Sequence, residues 1–306
     1  MEKNLENFLE LKNKNIKIEE FKFYLSKIKS FINVSTILNP CKISNSNLIT
    51  DLSNEKKRDD LIIIFPGHKS LEFVTSKINL YKGCDLWLQG TSIGLPIKRD
   101  IQAFFLERMA CDPLSLAMLY SLINLSTKSS INRIFCSSLE IRENWNKDLI
   151  KTINNMFNTS YYYSPCISQI VSPKIGISMM IRELIDERNI GVFVKIFTSL
   201  ITLPILASLI KYKNIYLVGS DLDHSGYFYS DINLKNIDIE KYSSIKVLNQ
   251  FDFRSDKSFN SHKSKYKTSN TPYNVFDYLP ISFNYCKQNG SKIIITNDQS
   301  ILNKYI

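Results

Sequence analysis

An α/β fold, with a mostly parallel sheet covered by helices, is the architecture this chain predicts, and three observations carry it. Short uninterrupted apolar runs recur along the sequence, each closing in a cluster of Gly, Ser, Thr, Asn or Asp. Helical patterns fill the intervals between them. With 306 residues, 44% hydrophobic and 12% aromatic, the chain can enclose a large core in one domain. Strands covered on both faces read as continuous apolar runs, whereas a half-solvated antiparallel sheet would alternate.

Residues 1–57 show mixed helical periodicity (Leu5, Phe8, Leu9, then Phe21, Tyr24, Leu25, Ile28, Ile32) and no strand pattern. They predict a helical extension packed on, or swapped from, a domain spanning 58–306, with Lys56, Lys57, Arg58, Asp59 and Asp60 as a charged boundary. Strands are predicted over 61–65, 84–88, 103–106, 133–136, 214–218 and 292–296. Helices are predicted over 71–80, 113–125, 145–157, 176–188, 198–211 and 274–288. The most apolar stretch, 192–210, contains Lys195 and Pro204 and sits at the short end of the ~20 apolar residues a membrane span needs, so it reads as a buried segment. Residues 222–272 are polar and rich in Tyr and Lys with weak periodicity, and they predict a lid ordered by its aromatics. The whole is a single Rossmann-like domain, in which ligands bind beyond the strand carboxyl ends near the switch in strand order.

A net charge of +10 invites a nucleic-acid reading, but the lysines are scattered among Asn and Ile, as in Lys12-Asn13-Lys14-Asn15-Ile16-Lys17. No nucleic-acid partner is expected. A basic surface equally suits an anionic nucleotide sugar, an anionic acceptor or contact with an anionic membrane. Six cysteines (Cys41, Cys84, Cys111, Cys136, Cys166, Cys286) form no C-x-x-C pair, and the first residues lack a signal-peptide pattern. Free thiols in a reducing cytoplasm are the expectation, with no structural zinc.

The sequence contains no G-x-G-x-x-G, no P-loop and no G-x-S-x-G, which weakens dinucleotide, P-loop NTPase and α/β-hydrolase readings. Gly67-His68-Lys69-Ser70-Leu71 is a strand–turn–helix junction suited to a monophosphate or a ribose. The three histidines are His68 in this junction, His224 after the fifth strand and His262 in the lid. Asp221-Leu222-Asp223 reads in two ways: as carboxylates holding a divalent metal against a sugar-nucleotide diphosphate, or as a hydrogen-bonded loop aspartate with a solvated neighbour.

Taken together these junctions resemble the bacterial CMP-sialic-acid-dependent sialyltransferases of lipooligosaccharide biosynthesis and related CMP-sugar transferases. Residues 61–71 are similar to the family's opening strand and G-x-G-P-S-L loop, and 84–91 to its second strand. Thr198-Ser199 followed by Asn214-Ile215-Tyr216-Leu217-Val218-Gly219-Ser220-Asp221 resembles the family's T-S-G helix and I-Y-L-x-G-x-D strand. Tyr227 and Tyr229 fall where family tyrosines follow that aspartate, His262 resembles the lid histidine, and 291–302 the last strand and N-S-L-L helix start. The resemblance spans about two-thirds of residues 61–306, in order. The departures are the missing asparagine in Gly67-His68-Lys69, Gly90 where an asparagine is usual, and Leu200 where glycine follows the T-S pair.

What the resemblance implies is an inverting, metal-independent glycosyltransferase with no cofactor beyond its donor, moving sialic acid or a related nonulosonic acid from a CMP-sugar to a glycan or glycolipid acceptor. CMP would meet Gly67, His68, Ser70, Gly90, Thr91, Ser137, Ser138 and Gly219. Ser199 would receive the sugar carboxylate, and Tyr227 and Tyr229 the departing phosphate. His262 would be the general base, and Asp221 a structural contact. Alternatives are a metal-dependent nucleoside-diphosphate-sugar transferase using Asp221 and Asp223, and a CMP-Kdo transferase. A role in lipopolysaccharide or capsule synthesis, a cytoplasmic place peripheral to the inner membrane, and a homo-oligomer are the accompanying expectations.

Overall fold

The computed structural model describes residues 44–106, 113–138, 153–220, 222, 226–235, 237–238, 241–251, 267–268 and 271–306. Nine strands follow in chain order: β1 (Asp60–Ile64), β2 (Asp85–Gln89), β3 (Ile101–Leu106), β4 (Ile131–Ser138), β5 (Thr159–Tyr163), β6 (Cys166–Ile167), β7 (Lys195–Ile196), β8 (Asn214–Val218) and β9 (Lys292–Ile295). Seven of them form one sheet in the order β5-β4-β3-β2-β1-β8-β9, while β6 and β7 pair separately. Every strand pairing is parallel.

The helices are α1 (Leu48–Glu55), α2 (Lys69–Glu72), α3 (Pro113–Ser126), α4 (Pro173–Ile185), α5 (Ser199–Leu209), α6 (Asp231–Leu234), α7 (Ser243–Phe251) and α8 (Val275–Gln288). α2 runs on as a wider π turn over Phe73–Lys77 and a tighter 3-10 turn over Ile78–Tyr81. The helix expected over 71–80 is therefore one continuous run of changing pitch.

Alternation along each strand divides the core in two. Leu61, Ile63, Trp87, Phe105, Phe135 and Tyr162 face α1, α4, α5 and α8. Ile62, Ile64, Leu86, Leu88, Phe104, Ile134 and Tyr161 face the run after β1, α3 and α7. Both faces are dry, which is why the strands read as unbroken apolar runs. On the first face an aromatic row crosses four strands, with ring centroids 5.2 Å apart for Trp87 and Phe105, 5.4 Å for Phe105 and Phe135, and 6.0 Å for Phe135 and Tyr162. α5 is buried from Ser199 to Ser208, Pro204 included, as the 192–210 reading expects. An all-round apolar helix of this kind belongs inside a core.

The described end of the expected N-terminal extension packs as part of this domain. Leu48 and Leu52 of α1 are fully buried in the first core. Asn47 caps α1 through Oδ1, which accepts from Ile49 N at 2.8 Å, and its Nδ2 donates to Asp186 O at 3.0 Å beyond α4. Beneath α1, Asp51 accepts from Ser46 Oγ at 2.6 Å, from Ser44 Oγ at 2.7 Å and from the Tyr162 hydroxyl. Arg133 Nη1 lies 2.9 Å from Asp51 Oδ1, and its Nε 3.3 Å from Glu55 Oε1. These are ion-pair distances, although neither nitrogen is aligned as a hydrogen-bond donor. Burial alone would raise the Asp51 carboxyl, but the Ser46, Tyr162 and Ser44 hydroxyls and the Arg133 charge outweigh it and hold the group below its ordinary value. The remainder of the extension, 1–43, lies outside the described residues.

Two parts of the architecture exceed the sequence expectation. β5 is an edge strand, and its Tyr161-Tyr162-Tyr163 run carries a strand propensity that could have marked it. Within the stretch expected as a lid, α6 and α7 are regular, and Ile245 and Leu248 of α7 are fully buried in the second core. Among the described residues no helix is long and apolar enough to cross a membrane.

Candidate functional site

The chain runs from β1 outward through β5, then returns to the other side of β1 for β8 and β9. The strand order therefore reverses between β1 and β8, and in an open parallel sheet the crevice beyond the carboxyl ends at that point is where ligands bind.

There the loops leaving the two strands touch. Phe65 N donates to Val218 O and Gly67 N to Gly219 O, each at 2.9 Å, carrying the parallel ladder past both strands. No side chain fits the contact: a Cβ on Gly67 would lie 2.2 Å from Gly219 O, and one on Gly219 1.8 Å from Ser70 Oγ and 2.5 Å from Phe65 O. Gly219 also has φ +64, a left-handed conformation that glycine adopts without strain. Ser70, fully buried, donates from Oγ to Phe65 O at 2.5 Å. Its hydroxyl proton is thus committed to the shape of the turn.

The segment after β8 folds back over the same turn. Tyr227 forms an antiparallel bridge with Gly67, and Phe228 N donates to Pro66 O at 3.1 Å. Tyr227 O is held by Ser230 Oγ at 2.8 Å and Asn233 Nδ2 at 2.7 Å. The rings of Tyr227 and Tyr229 stack with centroids 5.4 Å apart and planes 5° from parallel. They differ in access: Tyr227 is half-buried, whereas Tyr229 is 0% exposed. Gly67, Ser70, Gly219 and Tyr227 are thus brought together, while Tyr229 is a packing residue behind Tyr227 in this structure. His68 precedes α2 and is half-buried. Beside it Lys69 Nζ lies 2.8 Å from Glu72 Oε2, and that contact holds the Glu72 carboxyl below its ordinary value.

The neighbouring loop, after β2, places Gly90 at φ +55 with open space where a Cβ would stand. Thr91 and Ser92 are buried, and Ser92 Oγ accepts from Gln89 N at 3.0 Å. Leu248 of α7 closes against this loop, since a Cβ on Gly94 would lie 2.3 Å from Leu248 Cδ1. Ser137 and Ser138 end β4, three strands from β1, roughly 14 Å away at the usual spacing. They lie along the same edge but outside the crossing.

Ser199 begins α5, capped by Thr198, whose side chain accepts from Leu200 N at 3.4 Å. α5 ends just before β8 begins, and its 11 residues match the length of the 5-residue strand, each about 16 Å. The N-terminus of α5 therefore reaches the carboxyl edge, where its partial positive charge favours an anion. Asp221, Asp223, His224 and His262 lie outside the described residues. Among the described residues no group of three or more His, Cys, Asp and Glu could hold a metal ion.

A groove of about 650 Å³ runs between α4 and α8, lined by Ile177, Ile181, Ile185 and Ile281 with Lys174 and Arg182 at its rim. None of the expected site residues lines it, and it lies along the C-terminal half of α8, toward the amino edge of the sheet. The chemistry-bearing loops are at the opposite edge.

No protein-family model matches the sequence, and no curated protein does. Among solved structures, the chain is similar to the monofunctional alpha-2,3-sialyltransferase Cst-I of Campylobacter jejuni, with 18% identity over 82% of this chain and 80% of that one, at a TM-score of 0.44. An apo alpha-2,3-sialyltransferase of Campylobacter jejuni gives 16% identity over 87% and 83%, at 0.41. The sialyltransferase CstII of Campylobacter jejuni, in complex with the substrate analogue CMP-3FNeuAc, gives 15% over 80% and 84%, at 0.39.

Proposed function

We propose that this chain is a glycosyltransferase that moves sialic acid, or a related nonulosonic acid, from a CMP-sugar to a cell-surface glycan acceptor. The observation that carries the reading is the crossing of the β1 and β8 loops at the switch point. The residues that resemble the family's nucleotide loop and its I-Y-L-x-G-x-D strand end, far apart in sequence, meet there through Gly67 and Gly219. A single phosphate fits beside one glycine turn and one helix N-terminus better than a dinucleotide would.

In this reading the acceptor hydroxyl attacks the anomeric carbon from the face opposite CMP. The bond from that carbon to the phosphate oxygen breaks, CMP departs with the electron pair, and the configuration inverts. His262 takes the hydroxyl proton as general base. Tyr227, the accessible tyrosine of the stacked pair, donates to the departing phosphate, stabilising charge as it develops without a metal ion. The α5 N-terminus at Thr198-Ser199 faces the sugar carboxylate. The acceptor would be a lipopolysaccharide or capsular glycan, met by a homo-oligomer at the cytoplasmic face of the inner membrane.

A thermal-shift panel of CMP, UDP and GDP, with and without manganese, tests the donor. CMP should raise the melting temperature with no divalent ion present. Stabilisation by UDP with manganese, and none by CMP, would replace this reading with the metal-dependent one through Asp221 and Asp223.

A further inference from the structure

The serine that follows Gly219 has no role in the expected site. Ser220 is 4% exposed, and its Oγ has no hydrogen-bond partner among the described residues. Several buried hydroxyls elsewhere are paired: Ser121 Oγ donates to Ala117 O at 2.8 Å, Ser164 Oγ to Phe193 O at 2.8 Å and Ser291 Oγ to Tyr212 O at 2.6 Å. At the crossing itself, Ser70 is committed to Phe65 O. A buried hydroxyl left without a partner destabilises the fold, so folding alone would favour alanine at 220.

The place of the exception gives it meaning. Ser220 is one residue beyond the Gly67–Gly219 contact, at the carboxyl edge where the strand order reverses. The edge also receives the N-terminus of α5. A hydroxyl enclosed there can donate to an oxygen entering the crevice without first giving up a protein acceptor. The enclosure that makes it costly when empty strengthens the bond when filled.

We infer that the Ser220 hydroxyl is a ligand-binding group of the switch-point site, donating to an anionic phosphate oxygen of the nucleotide. This rests on the reading that the site takes a nucleotide sugar. It concerns binding and places no new group in proton transfer.

The test compares wild type, Ser220→Ala and Ser220→Cys by melting temperature and by titration with CMP and with cytidine, which lacks the phosphate. With no protein partner to lose, the free Ser220→Ala protein should melt at or above the wild-type temperature. Its CMP Kd should rise roughly 10- to 100-fold, the scale of one hydrogen bond to a charged group. Cytidine binding should stay unchanged, and Ser220→Cys, close in size but a weak donor, should follow alanine. A fall in the free protein's melting temperature for both variants would make the hydroxyl structural and overturn the inference. An unchanged CMP Kd would overturn it while leaving the proposed function standing. Equal losses for CMP and cytidine would move the contact from phosphate to nucleoside and refute the anion assignment. Wild type that binds neither CMP nor cytidine would sink this inference and the proposed function together.

Discussion

Substituting Gly219 by alanine tests the loop crossing on which the site is built. The new methyl would start 1.8 Å from Ser70 Oγ and 2.5 Å from Phe65 O, and the residue would keep φ +64. The left-handed conformation costs about 1–2 kcal/mol for a residue with a Cβ. Forcing a methyl into a closed contact adds roughly 1–3 kcal/mol. Moving Ser70 aside to relieve the clash also breaks its bond to Phe65 O, worth about 1 kcal/mol. The last two overlap, so Gly219→Ala should lose about 3 kcal/mol or more, which lowers the melting temperature by roughly 6–12 °C in a domain of this size.

A double-mutant cycle gives a sharper readout. Ser70→Ala alone should cost about 1 kcal/mol by removing the turn's hydrogen bond. In the Gly219→Ala background the same change removes the atom that clashes, so it should stabilise. A sign reversal of this kind arises only if the two residues touch. Urea denaturation of the four proteins measures it, and Ser70→Ala costing the same in both backgrounds would refute the crossing.

Asp51 sits below its ordinary value in the folded protein, so its contribution is fully present above about pH 4 and is lost as pH falls through the folded value. Asp51→Asn should therefore lower stability at neutral pH and flatten its acid limb, and Arg133→Met should cost less than Asp51→Asn because three hydroxyls still hold the carboxylate; equal acid limbs in wild type and Asp51→Asn would count against the cluster. Tyr227→Phe should reduce turnover with little change in melting temperature, whereas Tyr229→Ala should cost about 3 kcal/mol as a core truncation; the reverse pattern would exchange their roles. His262→Ala should lower turnover ~100- to 10,000-fold with CMP affinity nearly unchanged, and a mild effect beside an inactive His224→Ala would move the base to Asp223-His224.

The strands that pack on both faces were legible because burial on both sides erases alternation. β8 runs over Asn214–Val218 as the pattern predicts, β9 ends one residue early, and β1 lies one residue earlier than predicted at both ends. β5 was missed although its tyrosines favour a strand, because their hydroxyls break the apolar run that marks the other strands, and the packing of Tyr162 shows only once Phe135 stacks on it. α7 was not legible either. Its buried pair, Ile245 and Leu248, is short and flanked by polar residues, and it becomes a helix face only against the Gly94 turn, a contact remote in sequence. For the site, Gly67 and Gly219 stood out singly in a chain with only 9 glycines. That they meet depends on strand order, which no local pattern encodes. The commitment of Ser70, the enclosure of Tyr229 and the isolation of the Ser220 hydroxyl are tertiary facts of the same kind.

The two edges of the sheet differ in how their polar groups are met. At the amino edge, buried polar groups are saturated by the protein itself. Asp85 accepts from Lys57 N at 2.8 Å, Arg58 N at 3.0 Å and the Tyr212 hydroxyl at 2.8 Å, and Asp60 Oδ1 accepts from Asn214 Nδ2 at 2.8 Å. These bonds tie β1, β2 and β8 together at their starts. At the carboxyl edge the chain instead keeps side chains out with Gly67 and Gly219, leaves Gly90 facing open space, and holds the Ser220 hydroxyl without a partner among the described residues. Each of these is unfavourable or neutral for folding. Gly67, Gly219 and Ser220 gather where the strand order reverses, with Gly90 on the neighbouring loop, an arrangement that the proposed donor site accounts for and the stability of the fold does not.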